Sequence, residues 1–318
     1  MNRPSRLTRR GAAALERPRG EDFLILRDDL LHPWASGNKL RKLDRLLPSL
    51  IARGTTDVLT LGGAQSAHCA AVSAICAEHG IKAHVLLRGE PPETLTGNTL
   101  ITTMFAASVT WVSRDDYADR EALLARHRDR LTRQQGVGAL ELIPEGASTP
   151  TALDGYIGLV SELAARLPTP KSPWKLVIDA GTGSSALAVA LGVASTQLPW
   201  EVIGVCLLPN RRGTYETDTA QLAEQWRSMN NRGTRHEEHL TWIERARPRR
   251  FGKAYEQDIQ DCREIAARTG ILLDPLYTLA AWRACQELAH HEPRVLMLHT
   301  GGALNLFGAA QRWPKWFS

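Results

Sequence analysis

The sequence predicts an α/β protein built on parallel sheets, and two observations carry this prediction. Short apolar runs of strand length alternate with helical patterns along almost the whole chain, which is typical of βαβ units. Most of these runs end at glycine or polar residues, as buried strands do where they turn into a helix. The 318 residues, of which 43% are hydrophobic and 23% charged, have an ordinary globular composition and suffice for one or two domains.

Six apolar runs are predicted to be strands, and two segments that follow such runs are predicted to be helices. The first strand, residues 58–61, leads into Gly62-Gly63 and an alanine-rich helix over residues 66–79. The second helix is predicted over residues 187–193, after a glycine-rich turn. The predicted strands cover residues 58–61, 83–87, 110–112, 176–178, 202–206 and 295–298.

Charge and hydropathy exclude several classes of protein. Much of the net charge of +5 comes from Arg3, Arg6, Arg9 and Arg10 and from an arginine run over residues 245–250, without the interleaved aromatic residues of a nucleic-acid site. We therefore predict solvated arginines and no nucleic-acid partner. Since no apolar run reaches the roughly 18 residues of a spanning helix or forms a signal peptide, we predict a cytoplasmic protein with no membrane partner.

The cysteines and histidines predict neither disulfides nor a metal site. The five cysteines contain no CxxC pair, and their odd number argues against a fully paired framework, so most are predicted to be small buried residues. His236 and His239 flank two glutamates, but a histidine pair at this spacing supplies too few ligands for a metal ion.

Lys39 is the candidate nucleophile of the chain. It stands in the sequence Gly37-Asn38-Lys39, on a glycine-led turn before a basic, amphipathic helix. An enzyme with an aldehyde cofactor needs a primary amine that is partly deprotonated near neutral pH, and burial lowers the pKa of a lysine. A solvated helix face is the alternative interpretation of the neighbouring Arg41 and Lys42.

A glycine-rich loop is the candidate phosphate site. The run Gly181-Thr182-Gly183-Ser184-Ser185 follows a predicted strand and precedes a predicted helix, so its backbone N–H groups can converge on a phosphate at the helix N-terminus. A turn that is small for steric reasons alone is the alternative. A dinucleotide fingerprint is disfavoured because Ala186 occupies the place of the last glycine in GxGxxG.

Three further strand ends carry candidate polar groups. The run Gln65-Ser66-Ala67-His68 opens a predicted helix, whose free N–H groups and positive end can receive a substrate carboxylate. A plain N-cap serine is the alternative for Ser66. Tyr277 ends the run Asp274-Pro275-Leu276-Tyr277, and Thr300 lies in His299-Thr300-Gly301-Gly302; a packed tyrosine and an ordinary turn are the alternatives there.

In this order the five motifs resemble the pyridoxal-phosphate enzymes of the tryptophan-synthase-β type, and among them the 1-aminocyclopropane-1-carboxylate deaminase and D-cysteine desulfhydrase family. The resemblance covers roughly residues 27–308. It implies a two-domain α/β enzyme of fold type II, with parallel-rich twisted sheets flanked by helices, pyridoxal 5'-phosphate (PLP) in the interdomain cleft, and a homodimer. It also implies a larger domain at residues 1–40 and 150–318 and a smaller one at residues 41–149.

The resemblance implies how the chain would hold the cofactor. Lys39 would form the imine with the PLP aldehyde, with Asn38 beside it. Thr300 would face the pyridine nitrogen as a hydroxyl that leaves this nitrogen neutral, which weakens the ring as an electron sink and favours eliminations. The phosphate would be bound by Gly181, Thr182, Gly183, Ser184 and Ser185.

Substrate contacts are implied for the same motifs. Ser66 would contact the substrate and serve as a nucleophile in ring-opening members, with Gln65, Ala67 and His68 beside it. Tyr277 would act in acid–base chemistry or activate a nucleophile, for which its pKa of about 10 would have to fall. The expected substrate is a small amino acid.

Four positions depart from the family pattern. Ala67 replaces an asparagine that would bond the cofactor's ring hydroxyl, Ala70 replaces a basic residue, and Phe251 replaces a tyrosine. Thr278 stands where the cyclopropane deaminases have glutamate, which favours the desulfhydrase side. We therefore predict a PLP-dependent lyase or deaminase that releases a keto acid and ammonia by β-elimination. A ring-opening deaminase, a β-replacement synthase and a non-catalytic PLP- or amino-acid-binding protein are the alternatives.

Overall fold

The computed structural model describes residues 13–35, 37–134, 136–231, 233 and 235–318, and its larger sheet has six strands. Their order across the sheet is β1-β2-β10-β7-β8-β9, and all neighbours are parallel except the β1–β2 pair. The strands are β1 (Ala14–Glu16), β2 (Leu24–Arg27), β7 (Lys175–Ala180), β8 (Glu201–Cys206), β9 (Leu240–Glu244) and β10 (Val295–Leu298).

The smaller sheet has four strands, all parallel, in the order β5-β4-β3-β6. Its strands are β3 (Asp57–Gly63), β4 (Lys82–Arg88), β5 (Ser108–Val112) and β6 (Leu140–Leu142). Every strand of this sheet therefore comes from one continuous stretch of chain, residues 57–142. The larger sheet combines strands that precede this stretch with strands that follow it.

Helices connect the strands, as parallel pairing requires. No helix in the described part of the chain is both long and apolar enough to cross a membrane. The α-helices are α1 (Gly37–Ala52), α2 (Ala67–Glu78), α3 (Gly97–Phe105), α4 (Arg114–Ala118), α5 (Arg120–Thr132), α6 (Pro150–Arg166), α7 (Ser184–Thr196), α8 (Arg212–Asn230), α9 (Glu256–Thr269), α10 (Thr278–Ala289) and α11 (Ala303–Arg312).

The structure confirms the six predicted strands, the two predicted helices and the buried state of the cysteines. Each predicted strand lies within an observed one, and the prediction over residues 295–298 matches β10 in full. The strands β1, β2, β6 and β9 were not predicted. The predicted domain boundary at residues 40 and 41 falls inside α1, and the division into domains stays a prediction.

One apolar core joins the two sheets through the helices between them. It contains Val58 of β3 and Ile178 of β7, together with Leu43 of α1 and Leu159 of α6. Val177, which follows the strand alternation onto the opposite face of β7, packs instead in a second core with α9 and α10. Both faces of the larger sheet are therefore covered, and α1 lies in the shared core.

The arginine run over residues 245–250 is not uniformly solvated, which corrects the sequence-based prediction. Arg245 is 4% exposed and donates to the carbonyl oxygens of the loop before α10, and Arg249 is 5% exposed and pairs with Asp258 at 2.8 Å. Arg247 and Arg250 are exposed. The N-terminal arginines Arg3, Arg6, Arg9 and Arg10 lie outside the described residues.

The strand order creates a crevice between β7 and β10. From β7 the chain continues to β8 and β9 on one side, and it returns to place β10 on the other side. In open parallel sheets, ligands bind at the carboxyl ends of the strands where the winding direction changes in this way. The glycine loop after β7 and the Thr300 turn after β10 both meet at this point.

Candidate active site

Lys39 lies in the first turn of α1, not on a turn before the helix as the sequence predicted. At Gly37 a Cβ atom would come within 2.2 Å of the Asp28 carbonyl oxygen, so only glycine permits this approach of α1 to the end of β2. The Asn38 N–H donates to the Thr300 carbonyl oxygen at 3.2 Å. The start of α1 is thereby fixed beside the crevice between β7 and β10.

The Lys39 side chain is partly buried, and burial lowers the pKa of its amine. The carboxylates of Asp179 and Glu145 oppose this shift without cancelling it. The amine has no hydrogen bond to any residue that the structure describes. A lysine in this state has a larger neutral fraction than an exposed one, which is the form that attacks an aldehyde.

The glycine loop forms a cluster of hydroxyl groups at the N-terminus of α7. Gly183 has a φ of +82°, and Ser184 and Ser185 are buried in the first turn of the helix. The Ser184 hydroxyl is bonded to the hydroxyls of Thr182 at 2.8 Å and Ser148 at 2.9 Å. The loop therefore offers N–H and O–H groups at the positive end of a helix, as an anion site does.

Arg41 and Lys42 are buried, so the interpretation of a solvated helix face is wrong. Arg41 is 4% exposed and donates two bonds of 2.6 Å to the carboxylate of Asp28. Lys42 is 1% exposed, and its amine donates to the Ser184 hydroxyl at 2.7 Å and the Gly146 carbonyl at 3.1 Å. Lys42 is thus an amine at the glycine loop that sequence reasoning missed. Its spacing of one helical turn from Lys39 was the available signal.

Thr300 faces Asp179 at the crevice. The Thr300 hydroxyl donates to the Asp179 carboxylate at 2.6 Å, and each residue is 4% exposed. Burial raises the pKa of Asp179 to about 6, against the opposing effects of the Thr300 hydrogen bond and of Lys39. Asp179 was also missed; the signal was a carboxylate near the end of a mostly apolar strand, two residues before the glycine loop.

Ser66 is the N-cap residue of α2. Its hydroxyl accepts a bond of 3.2 Å from the Cys69 N–H, as the plain capping interpretation required. The N–H groups of Ala67 and His68, in the same first turn, find no acceptor among the residues described. These two groups are therefore available to a carboxylate.

The Gln65 side chain ties α2 to the start of α3. Its amide donates to the Thr96 carbonyl at 3.0 Å and accepts a bond of 3.0 Å from the Asn98 N–H. Gln65 thus positions this loop, and its role as a substrate contact stays a prediction.

His68 is a neutral, buried histidine whose tautomer follows from its partner. The Thr60 hydroxyl gives its proton to the Ile143 carbonyl at 2.7 Å, so it can only accept from His68 Nε2 at 2.8 Å. Burial, with Lys39 and Lys42 nearby, lowers the pKa of His68 to about 3. Its Nδ1 lone pair is left buried without a partner among the described residues, which suits an acceptor for a ligand donor.

Tyr277 lies over the glycine loop, where a Cβ atom on Gly181 would be 3.5 Å from its ring. Phe251 packs edge-on against it, with ring centroids 5.6 Å apart. Burial and the nearby carboxylates of Asp274 and Asp179 raise the pKa of Tyr277. This direction is opposite to the one that a basic role required, so Tyr277 is a neutral phenol.

The side chain of Thr278 is hydrogen-bonded to Asp274. Thr278 is fully buried, and its hydroxyl donates to the Asp274 carboxylate at 3.0 Å. The same carboxylate accepts a bond of 3.2 Å from the Thr278 N–H. Thr278 therefore helps to start α10 and presents no carboxylate to the site.

The residues gathered here have the chemistry that PLP needs. Lys42, the hydroxyl cluster and the start of α7 suit a phosphate, Lys39 supplies an amine, and Thr300 supplies a hydroxyl on the neighbouring strand end. A surface cleft lined by Gln197 and Glu238, at the other end of α7, contains none of these groups.

Comparison with known proteins gives the class of this chain. The family model described as pyridoxal-phosphate dependent enzyme matches residues 9–301. The chain therefore belongs to that family and is an enzyme that uses PLP.

Individual relatives share most of its length. It is 40% identical to "Putative D-cysteine desulfhydrase 2, mitochondrial" of Oryza sativa subsp. japonica, over 95% of this chain and 82% of the relative. It is 29% identical to "Putative 1-aminocyclopropane-1-carboxylate deaminase" of Thermotoga maritima, over 92% of each chain. The crystal structure of an ACC deaminase homologue has the same fold, with a TM-score of 0.82 at 22% identity, covering 96% of this chain and 94% of that one.

Proposed function

We propose that this enzyme is a PLP-dependent lyase that eliminates a β substituent from a small amino acid and releases a keto acid and ammonia, with D-cysteine as the first substrate to test. The observation that carries the proposal is the partly buried, unpaired amine of Lys39 beside Asp179 and Thr300. The relative that is called a putative D-cysteine desulfhydrase supports the substrate. Thr278 supports it too, since it brings no carboxylate to the site.

Bound PLP supplies an electron sink for bonds at the α-carbon of an amino acid. On the protein side, Lys39 holds the cofactor through its amine and afterwards moves a proton at the α-carbon. Asn38 fixes the start of α1 through its bond to the Thr300 carbonyl. Lys42 neutralises phosphate charge, while the phosphate-binding loop consists of Gly181, Thr182, Gly183, Ser184 and Ser185.

The substrate would lie between α2 and Tyr277. The free N–H groups of Ala67 and His68 receive its carboxylate, and Gln65 holds this turn against α3. Ser66 combines its capping bond with a contact to the substrate. Tyr277, as a neutral phenol, donates a hydrogen bond to the departing group.

The proposal is tested on purified protein loaded with PLP, with D-cysteine, L-cysteine and 1-aminocyclopropane-1-carboxylate as substrates. Equal release of pyruvate, sulfide and ammonia from D-cysteine supports β-elimination. Ammonia and 2-oxobutanoate from the cyclopropane substrate would identify a ring-opening deaminase instead. Sulfide that appears only with an added nucleophile would identify a β-replacement synthase, and a spectral change without any product would identify a binding protein.

Lys39→Ala separates binding from chemistry. The variant is expected to lose the visible absorbance of the lysine-linked cofactor and all turnover, because no other described amine stands free at the crevice, while the glycine loop still binds PLP weakly. Absorption spectra and product assays measure both effects. Lys82→Ala, at an exposed lysine, is the matched control. Retained visible absorbance in Lys39→Ala would contradict the assignment of Lys39.

We also propose the organisation and location of the enzyme. A larger domain at residues 1–40 and 150–318 and a smaller one at residues 41–149 are supported by the strands of the two sheets, which fall on either side of these limits. A homodimer and a cytoplasmic location are proposed from the family resemblance and from the sequence, respectively. Light scattering on the purified protein and cell fractionation test these two points.

A further inference from the structure

Asp179 and Thr300 form a buried hydrogen-bonded pair across the crevice. Asp179 lies near the carboxyl end of β7 and Thr300 two residues after β10, so the two neighbouring strand ends bring them together. The Thr300 hydroxyl and the Asp179 carboxylate are 2.6 Å apart, and each residue is 4% exposed. The pair is therefore held by the sheet itself, within reach of Lys39.

The proton of the Thr300 hydroxyl is committed to this bond. A hydroxyl has one proton to donate and two lone pairs that accept. Because Thr300 gives its proton to Asp179, it offers only lone pairs to a ligand on its other side. A ring nitrogen that bonds to Thr300 must then itself carry the proton.

The charges around Asp179 decide whether it can stay ionised. The Thr300 hydrogen bond and the Lys39 amine favour its anion, whereas burial and Asp274 oppose it. The other titratable groups that it affects are phenols whose pKa values are raised by burial, so they are neutral: Tyr156, Tyr215 and Tyr277. A cation on the far side of Thr300 would add to the stabilisation of this buried carboxylate that Lys39 provides.

We propose that Asp179 is a positioning residue that acts through the Thr300 hydroxyl to hold the ring nitrogen of bound PLP in its protonated form. The inference rests on the proposed cofactor site, in which Thr300 faces this nitrogen, and it deepens that proposal. A hydroxyl alone was expected to leave the nitrogen neutral; the carboxylate behind it reverses this expectation. The nitrogen takes its proton from water as PLP binds, and Asp179 remains the balancing anion.

With a protonated ring nitrogen, PLP is a stronger electron sink than with the neutral nitrogen expected beside a hydroxyl alone. A protonated ring withdraws more electron density from the α-carbon, so the enzyme can remove the α-proton from substrates that have a poor leaving group. The carboxylate thus extends the substrate class beyond amino acids with an easily expelled thiolate.

Nuclear magnetic resonance of PLP labelled with nitrogen-15 in its ring tests the proposal without any turnover. The labelled cofactor bound to the unchanged enzyme is expected to give the chemical shift of a pyridinium, constant from about pH 6 to about pH 8 because the bond to Thr300 stabilises the proton. Asp179→Asn is expected to move the signal to the neutral-pyridine position. Glu145→Gln, which removes the other carboxylate that acts on Lys39, is the matched control and is expected to leave the signal unmoved.

Thr300 variants test whether the effect passes through the hydroxyl. Thr300→Ser keeps the hydroxyl and is expected to keep the pyridinium signal. Thr300→Val removes it and is expected to give a neutral ring, with no further change when Asp179→Asn is added. A pyridinium signal in Thr300→Val would show that Asp179 acts directly through space and would overturn the relay.

The outcomes separate this inference from the proposed function. A neutral ring in the unchanged enzyme, with visible cofactor absorbance present, overturns the inference and leaves the cofactor site intact. Failure of the unchanged enzyme to bind PLP overturns the proposed cofactor site itself. If Asp179→Asn does not bind PLP, the two Thr300 variants decide the question. A pyridinium signal in Thr300→Ser with a neutral-pyridine signal in Thr300→Val would support the relay. The same signal in both variants would show that the hydroxyl does not control the ring proton and would overturn it.

Discussion

Lys39 and Lys42 are two amines on one face of α1 that meet different surroundings. They are one helical turn apart, so their side chains lie side by side. Lys39 is close to the carboxylates of Asp179 and Glu145, whereas Lys42 has only a hydroxyl and a carbonyl as hydrogen-bond partners and no ion pair among the described residues. Burial and Lys39 lower the pKa of Lys42 far from its ordinary value. The missing counter-charge is what a phosphate would bring.

Lys42→Met is therefore expected to weaken PLP binding much more than it changes the fold. Losing a charge-assisted hydrogen bond costs about 1.5–3 kcal/mol, which corresponds to a roughly ten- to hundredfold higher dissociation constant. Titration of the cofactor-free protein with PLP, followed by absorbance, measures the change. Lys82→Met, at an exposed lysine, is the control. An unchanged dissociation constant would mean that the phosphate does not lie at Lys42.

The crossing of α1 and α6 sets the position of both lysines. A Cβ atom on Gly155 of α6 would come within 2.1 Å of the Arg41 carbonyl oxygen, so the two helix backbones touch at this point. Gly158, one turn later on the same helix, has only the Arg45 guanidinium within reach, at 3.6 Å from such an atom. The same substitution at these two glycines therefore has opposite consequences.

Gly155→Ala is expected to push α1 away from α6 and to lower the free energy of unfolding by about 1–3 kcal/mol, the cost of overpacking a tight contact. Gly158→Ala is expected to raise it by up to about 1 kcal/mol, since alanine is the better helix former. Denaturant unfolding measures both, and PLP titration shows whether the shift of α1 reaches Lys39. Equal effects at the two positions would refute the close crossing.

The elements and the site differ in how far they could be predicted. Fully covered strands such as β7 and β10 were predictable because burial on both faces leaves a continuous apolar run. The strands β1 and β6, with three residues each, are too short for such a pattern. The partners of Lys42 and Asp179 lie 142 and 121 positions away in sequence, so the burial of these charges depends on tertiary pairing that no local pattern records. The motifs themselves are short local runs that the sequence shows directly, and the roles of their residues came from the family resemblance.

The core shared by the two sheets makes the site depend on both of them. The larger sheet provides Asp179, Thr300 and the start of α7, and the smaller sheet leads into α2 with Ser66 and His68. The helix α1 packs in the core common to both, so Lys39 keeps its place only while this core is intact. Stability and cofactor binding are therefore expected to change together when the core is disturbed.

The buried carboxylate of Asp179 gives stability a distinctive dependence on pH. Its pKa rises from 3.8 to about 6 on folding, so the folded protein binds this proton more tightly than the unfolded chain. Protonation of Asp179 therefore adds about 3 kcal/mol to the free energy of unfolding below about pH 4. This contribution is lost as the pH rises through about 6. The carboxylates of Asp57, Glu201 and Asp261 oppose this trend, because their pKa values are lowered in the fold.

Asp179→Asn isolates the contribution of Asp179 to stability, because asparagine does not titrate and has nearly the same shape as aspartate. Without PLP, the free energy of unfolding of the variant minus that of the unchanged protein is expected to rise by about 3 kcal/mol between about pH 4 and about pH 7. With PLP bound, a pyridinium opposite Thr300 would hold Asp179 ionised, so the rise is expected to shrink. Denaturant unfolding at each pH measures the difference, with Glu93→Gln as the exposed-carboxylate control. A difference that does not change with pH would show that Asp179 is already ionised in the cofactor-free protein.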